Sequence, residues 1–126
     1  MDMIERRVLD DFAITGDQQF AFGLGDAKTV VSVLHIKTKT GAPTTMSLIV
    51  SVYRLDPGTK KKLGAAIITH TTVTEATALP FGPEDKDAAD AAAARFTGLF
   101  KVETDLAFTG GSSPSAVITL TIIGKS

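Results

Sequence analysis

Few side chains in this sequence are spaced to do chemistry, and the two histidines, His35 and His70, come first. Histidines on neighbouring strands hold a metal when a carboxylate joins them. No further histidine stands three or four residues from either one, so no local ligand pair exists. Both fall in runs rich in β-branched residues, on what reads as the polar side, and they are read as ordinary surface or interface side chains.

The stretch Gly110, Gly111, Ser112, Ser113, Pro114, Ser115 resembles a phosphate-cradling loop. Such a loop needs converging backbone amides at a helix N-terminus, usually with a lysine that reaches the phosphates. Here Pro114 removes one amide, no Gly-Lys-Ser or Gly-Lys-Thr follows, and the loop feeds the β-branched run AVITLTII. These glycines are for turning a hairpin. A serine nucleophile would call for a Gly-x-Ser-x-Gly elbow, and none is present. Asp85, Asp87 and Asp90 cluster where a helix would begin, and capping accounts for them better than paired-carboxylate catalysis. Lys60, Lys61 and Lys62 follow Asp56-Pro57-Gly58-Thr59 and read as a basic hairpin tip. A sugar-binding face would stack its ligand on exposed aromatics, but the chain has no Trp and a single Tyr, Tyr53. No residue is assigned to catalysis, to a metal or to a cofactor.

The totals agree with this sparse chemistry. A chain of 126 residues is enough for one domain with a single core. A net charge of -1 gives no electrostatic reason to expect nucleic acid or an anionic membrane as partner. The absence of Cys removes disulfides and thiolate chemistry, so packing must hold the fold. No apolar run reaches the roughly 20 residues of a membrane span. With 44% hydrophobic and only 21% charged residues, part of the apolar surface is expected between subunits.

The elements that must position these residues are mostly strands. Residues 1 to 24 carry Ile4, Val8, Leu9, Phe12, Phe20 and Phe22 among charges, and read as an N-terminal arm ahead of a sandwich domain at 25 to 126. Within it, 1 to 16 read as a short helix or an extended segment, and Phe20, Phe22 and Leu24, two apart before Gly25-Asp26, as a short strand and turn. In KTVVSVLHIKTK, Val30, Leu34 and Ile36 share one parity; in TTMSLIVSVYRL, Met46, Leu48, Val50 and Val52 do. Strands through Ile67 and Ile68, and through Val73, are expected next. Further on, Phe100, Val102, Leu106 and Phe108 alternate with Lys101, Glu103 and Asp105, and Ala116, Ile118, Leu120 and Ile122 line one face of the last run. PEDKDAADAAAARF is different, and its alanines and leading acids predict a short helix from about Glu84 to Arg95. About seven short strands with turn signals between them predict an all-β fold, an antiparallel β-sandwich or jelly roll.

From residue 28 onward the order of features, KTVVSVLHIKT, then TGAPTTMSLIVSVYRLDPGTKKKLGAAI, then LFKVETDLAFTGGSSPSAVITLTI, resembles small β-sandwich virion proteins of tailed bacteriophages. The resemblance spans residues 28 to 123. It implies a capsid decoration, or cement, protein that binds the major capsid protein, groups as a homo-oligomer with trimers favoured, and resides in the virion after synthesis in the host cytoplasm. A tail, neck or fibre subunit and a soluble ligand-binding sandwich are the alternatives. The residues expected at interfaces are Phe12, Phe20 and Phe22 in the arm, Lys60 to Lys62, and the tip Gly110, Gly111, Ser112 and Ser113.

Overall fold

A computed structural model describes residues 3–23, 29–56, 58–72, 75, 79–89 and 99–125. They form eight strands: β1 (Met3–Ile14), β2 (Gln18–Gly23), β3 (Thr29–Thr40), β4 (Thr45–Arg54), β5 (Ile68–Thr71), β6 (Phe81–Ala89), β7 (Leu99–Thr109) and β8 (Ser115–Lys125). Two four-stranded sheets result, in the orders β1-β8-β3-β6 and β2-β7-β4-β5. Every pairing is antiparallel. The first strand pairs with the last, the second with the seventh, the third with the sixth and the fourth with the fifth. This is one long antiparallel ribbon rolled onto itself, the strand order of a jelly roll.

Alternation explains why these residues make two facing sheets. In β3, Val30, Leu34 and Ile36 are buried, while Lys37 lies on the opposite parity. Ala116, Ile118, Leu120 and Ile122 of the neighbouring β8 extend this apolar face, and Met46, Leu48, Val50 and Val52 of β4 with Phe100, Val102 and Leu106 of β7 meet it across the sandwich. Each inward side chain alternates with an outward one because strand side chains point to opposite faces. β8 lies between β1 and β3, so the C-terminal run is an inner strand.

Three expectations are corrected. Residues Glu84 to Ala89, predicted to begin a helix, belong to strand β6, which pairs with β3 from Thr29↔Ala89 to Ile36↔Phe81. Helix propensity is a weak preference, and a strand that satisfies the open edge of β3 outweighs it. The rest of the predicted helix, 90 to 95, lies outside the described residues, as does Val73. The segment set apart as an arm is part of the sandwich: it supplies β1 and, in the short strand expected through Phe20 and Phe22, β2, one edge strand to each sheet. Its charges do not prevent this, because an edge strand keeps much of its surface in water. His70, placed on the polar side, is fully buried. With Ile67 and Ile68 adjacent, the run itself does not say which parity faces inward, and the pairing Val50↔His70 decides it.

Candidate functional site

Two buried polar side chains, Ser32 and His70, converge where the two sheets meet along β5 and β6. Ser32 stands on the inward parity of β3 between Val30 and Leu34, and it is fully buried. His70 reaches it from the opposite sheet, Nε2 to Oγ at 2.9 Å. The other ring nitrogen, Nδ1, lies 2.8 Å from Oε1 of Glu84 on β6. An ionised carboxylate can only accept, so Nδ1 carries the hydrogen in the neutral ring and Nε2 accepts from the Ser32 hydroxyl. Serine, histidine and acid thus have the contacts of a nucleophilic triad. Both Ser32 and His70 have no exposed surface, so no substrate reaches the hydroxyl. The trio joins the sheets and satisfies buried polar atoms that would otherwise cost stability. A polar residue on an apolar parity, as Ser32 is, was the signal that could have pointed to it. His35, by contrast, is half-buried on the outward parity of β3, and the two histidines do not meet. Among the described residues no group of three His, Asp or Glu is arranged to hold a metal ion.

The two expected loop tips stand at opposite ends of the molecule. β4 begins beside the Gly110 tip, through Thr45↔Thr109, and ends beside the lysine hairpin, through Arg54↔Phe100. At about 3.3 Å per residue a strand of this length separates them by roughly 30 Å. The glycine tip is locked into the β3–β4 loop. The Ser112 amide donates to the Gly41 carbonyl at 2.8 Å, the Thr44 amide donates to Thr109 at 2.8 Å, and the Thr40 and Ser115 hydroxyls bond each other. Gly41 (φ 78°) and Gly111 (φ 81°) are left-handed, and a Cβ on either would strike the other loop's backbone. Gly110, Gly111, Ser112 and Ser113 therefore form an exposed but fixed surface.

At the other end, Asp56 organises the turn. Its carboxylate accepts from the Thr59 hydroxyl at 2.6 Å and the Thr59 amide at 2.9 Å, and these bonds hold its pKa below the ordinary value. Lys60 and Lys61 are exposed at the tip. Lys62 folds back onto the outer face of the second sheet, where its ammonium sits 2.7 Å from Glu103 Oε1 and 4.1 Å from the centre of the Tyr53 ring. The hydrogen bond to Glu103 raises the Lys62 pKa, and the same bond lowers that of Glu103. Beside this pair lies a depression of about 360 Å³ lined by Asp17, Ile49, Ser51, Tyr53, Glu103, Thr104 and Asp105. Asp17 accepts from the Leu106 amide at 2.8 Å and so serves the fold. Lys62 thus covers one face of the half-buried Tyr53 ring.

The three phenylalanines separate. Phe22 is buried and stacks on Phe100 with centroids 5.5 Å apart, which makes it core. Phe12 on β1 is 38% exposed and meets Phe20 of β2 edge to face at 6.1 Å, across the side of the sandwich opposite the histidine.

No protein-family model and no curated protein matches the chain. Solved structures do match its fold. A chain of the T13 viral particle of infectious bursal disease virus aligns at 17% identity and a TM-score of 0.51, over 98% of this chain and 31% of that one. A chain of the VP2 subviral particle of the same virus aligns at 14% identity and 0.49, over 98% and 33%. The mitogen of Yersinia pseudotuberculosis aligns at 11% identity and 0.46, over 99% of this chain and 86% of that one. The chain thus spans about a third of the length of the viral chains it resembles.

Proposed function

We propose that this chain is a structural subunit of a virus particle, and within that class a capsid decoration protein of a tailed bacteriophage. In this reading it binds the major capsid protein, groups as a homo-oligomer with trimers favoured, and joins the virion after synthesis in the host cytoplasm. It performs no catalysis. The observation that carries the reading is the rolled eight-strand sandwich, which follows a viral-particle chain over 98% of its length. Jelly rolls build capsid domains because their two ends and outer faces present broad rigid surfaces while the core holds the shape. The chemistry supports the same reading, because the serine and histidine of the triad-like trio are sealed. Tyr53 beneath Lys62 argues against the sugar-binding alternative.

Quantitative mass spectrometry of purified particles tests this, since copy number follows particle symmetry. Hundreds of copies per particle are expected. A ring of about a dozen copies would replace the decoration role by a neck or tail role, in keeping with cyclic symmetry. Particles lacking the chain would overturn the virion reading altogether.

A further inference from the structure

A sheet edge exposes backbone donors and acceptors that can pair with another strand, and soluble proteins protect such edges with charges, prolines, bulges or short strands. Three of the four edges among the described residues carry such protection. β1 has register shifts at Arg7/Leu9 and Leu9/Phe12, and its sequence includes Glu5, Arg6, Arg7, Asp10 and Asp11. β6 contains Gly82 and Pro83 followed by Glu84, Asp85, Lys86 and Asp87. β5 has only four residues.

β2 has none of these devices. Its sequence, QQFAFG, holds no charge and no proline, and it pairs with β7 in unbroken register from Gln18↔Thr104 to Gly23↔Leu99. Gln19 and Ala21 are exposed on its outward parity. Next to this edge, Phe20 and the exposed Phe12 form an apolar pair.

We propose that β2 is the edge at which a second copy of this chain docks, its own β2 adding antiparallel about a two-fold axis. Among the described residues no strand pairs with the outer edge of β2, whose backbone groups call for a strand as occupant, and main-chain hydrogen bonds supply the affinity in such pairings. A second copy is favoured because an uncharged edge meets its own image without like charges facing each other, whereas β1 or β6 would set charge against charge. A two-fold contact is self-complementary, and the pairing it requires is antiparallel, as β2 already makes with β7. The same axis brings the two Phe12–Phe20 pairs to one side of the junction. The contact joins chains in pairs, within a dimer or between trimers, and it specifies the self-association proposed above, on which it rests.

The full chain, run through sedimentation velocity over a concentration series, is expected to form dimers or even multiples such as hexamers. The Gln19→Lys, Ala21→Lys double variant places like charges across the axis, and its dissociation constant is expected to rise at least about tenfold. Thr69→Lys, Thr71→Lys on the β5 edge is the control and should leave association unchanged, with thermal midpoints confirming that all variants are folded. Because the chain has no cysteine, Gln19→Cys and Ala21→Cys can be oxidised alone or mixed, and one of these combinations, set by where the axis crosses β2, is expected to cross-link two chains, unlike Thr69→Cys. A chain that stays monomeric would overturn both the self-association and the edge. An assembly that survives the β2 charges, or that holds only three chains, would overturn the edge alone.

Discussion

Nδ1 of His70 lies 2.8 Å from Oε1 of Glu84, and this contact ties the edge strand of one sheet to the edge strand of the other. With Ser32 on the second ring nitrogen, both nitrogens of a fully buried imidazole are used. Ser32→Ala leaves Nε2 without a partner in the core and is expected to lower unfolding stability by about 1–3 kcal/mol. The combined change Ser32→Ala with His70→Leu removes both polar groups and should cost less than His70→Ala alone, as read from urea unfolding midpoints.

The same burial predicts silence in a reactivity assay. A fluorophosphonate probe of serine nucleophiles should leave Ser32 unlabelled in the native chain, because neither Ser32 nor His70 has exposed surface. Labelling at Ser32 detected by mass spectrometry would mean that the trio opens to solvent and would reopen an enzymatic reading.

Gly111→Ala forces a side chain into the Gly41 carbonyl and Pro43 at a left-handed backbone position. A destabilisation of at least about 1–3 kcal/mol is expected from the strained conformation, with the clash added. Gly16→Ala is the comparison, since nothing lies within 4 Å of its added Cβ. Thermal unfolding of the two variants should differ clearly, with Gly16→Ala close to the parent protein.

Phe100→Ala and Phe12→Ser separate core from surface. Phe100 is fully buried, and its loss should cost about 3–5 kcal/mol. Phe12 is 38% exposed, so its substitution should change stability far less while weakening association. Deleting residues 1 to 16 would not isolate that effect, because it removes strand β1 and the pairing with β8.

Glu103 and Lys62 define the pH range of their own contact. The Glu103 pKa is lowered by the Lys62 hydrogen bond, so its contribution is complete above the ordinary carboxyl range and is lost as pH falls through the lowered value. The Lys62 pKa is raised by the same bond, so its contribution is present below the ordinary lysine value and is lost as pH rises through the raised one. Stability should therefore show no dependence on this pair near neutrality. Glu103→Gln should weaken the acid-side loss in a pH series of unfolding midpoints.

Much of the fold was legible in local pattern. Alternation along Val30 to Ile36, Met46 to Val52, Phe100 to Phe108 and Ala116 to Ile122 determined which residues are core, since the side-chain period of a strand is two whatever its partners. The turn residues Asp56 and Gly58, and the glycines at 41, 110 and 111, marked where the chain reverses, because their backbone chemistry is local. What depends on distant partners was not legible. The alanine-rich run from Glu84 favours a helix by propensity, and only the open edge of β3 made its first part a strand. The parity of His70 depended on pairing with β4, and the trio with Ser32 and Glu84 depended on three strands from two sheets arriving together. Composition alone determined that this chain has no cysteine chemistry and neither tryptophan nor more than one tyrosine to stack a ligand; tertiary structure decided that, among the described residues, the serine and histidine of a catalytic-looking cluster are sealed inside and that β2 is the edge without protection.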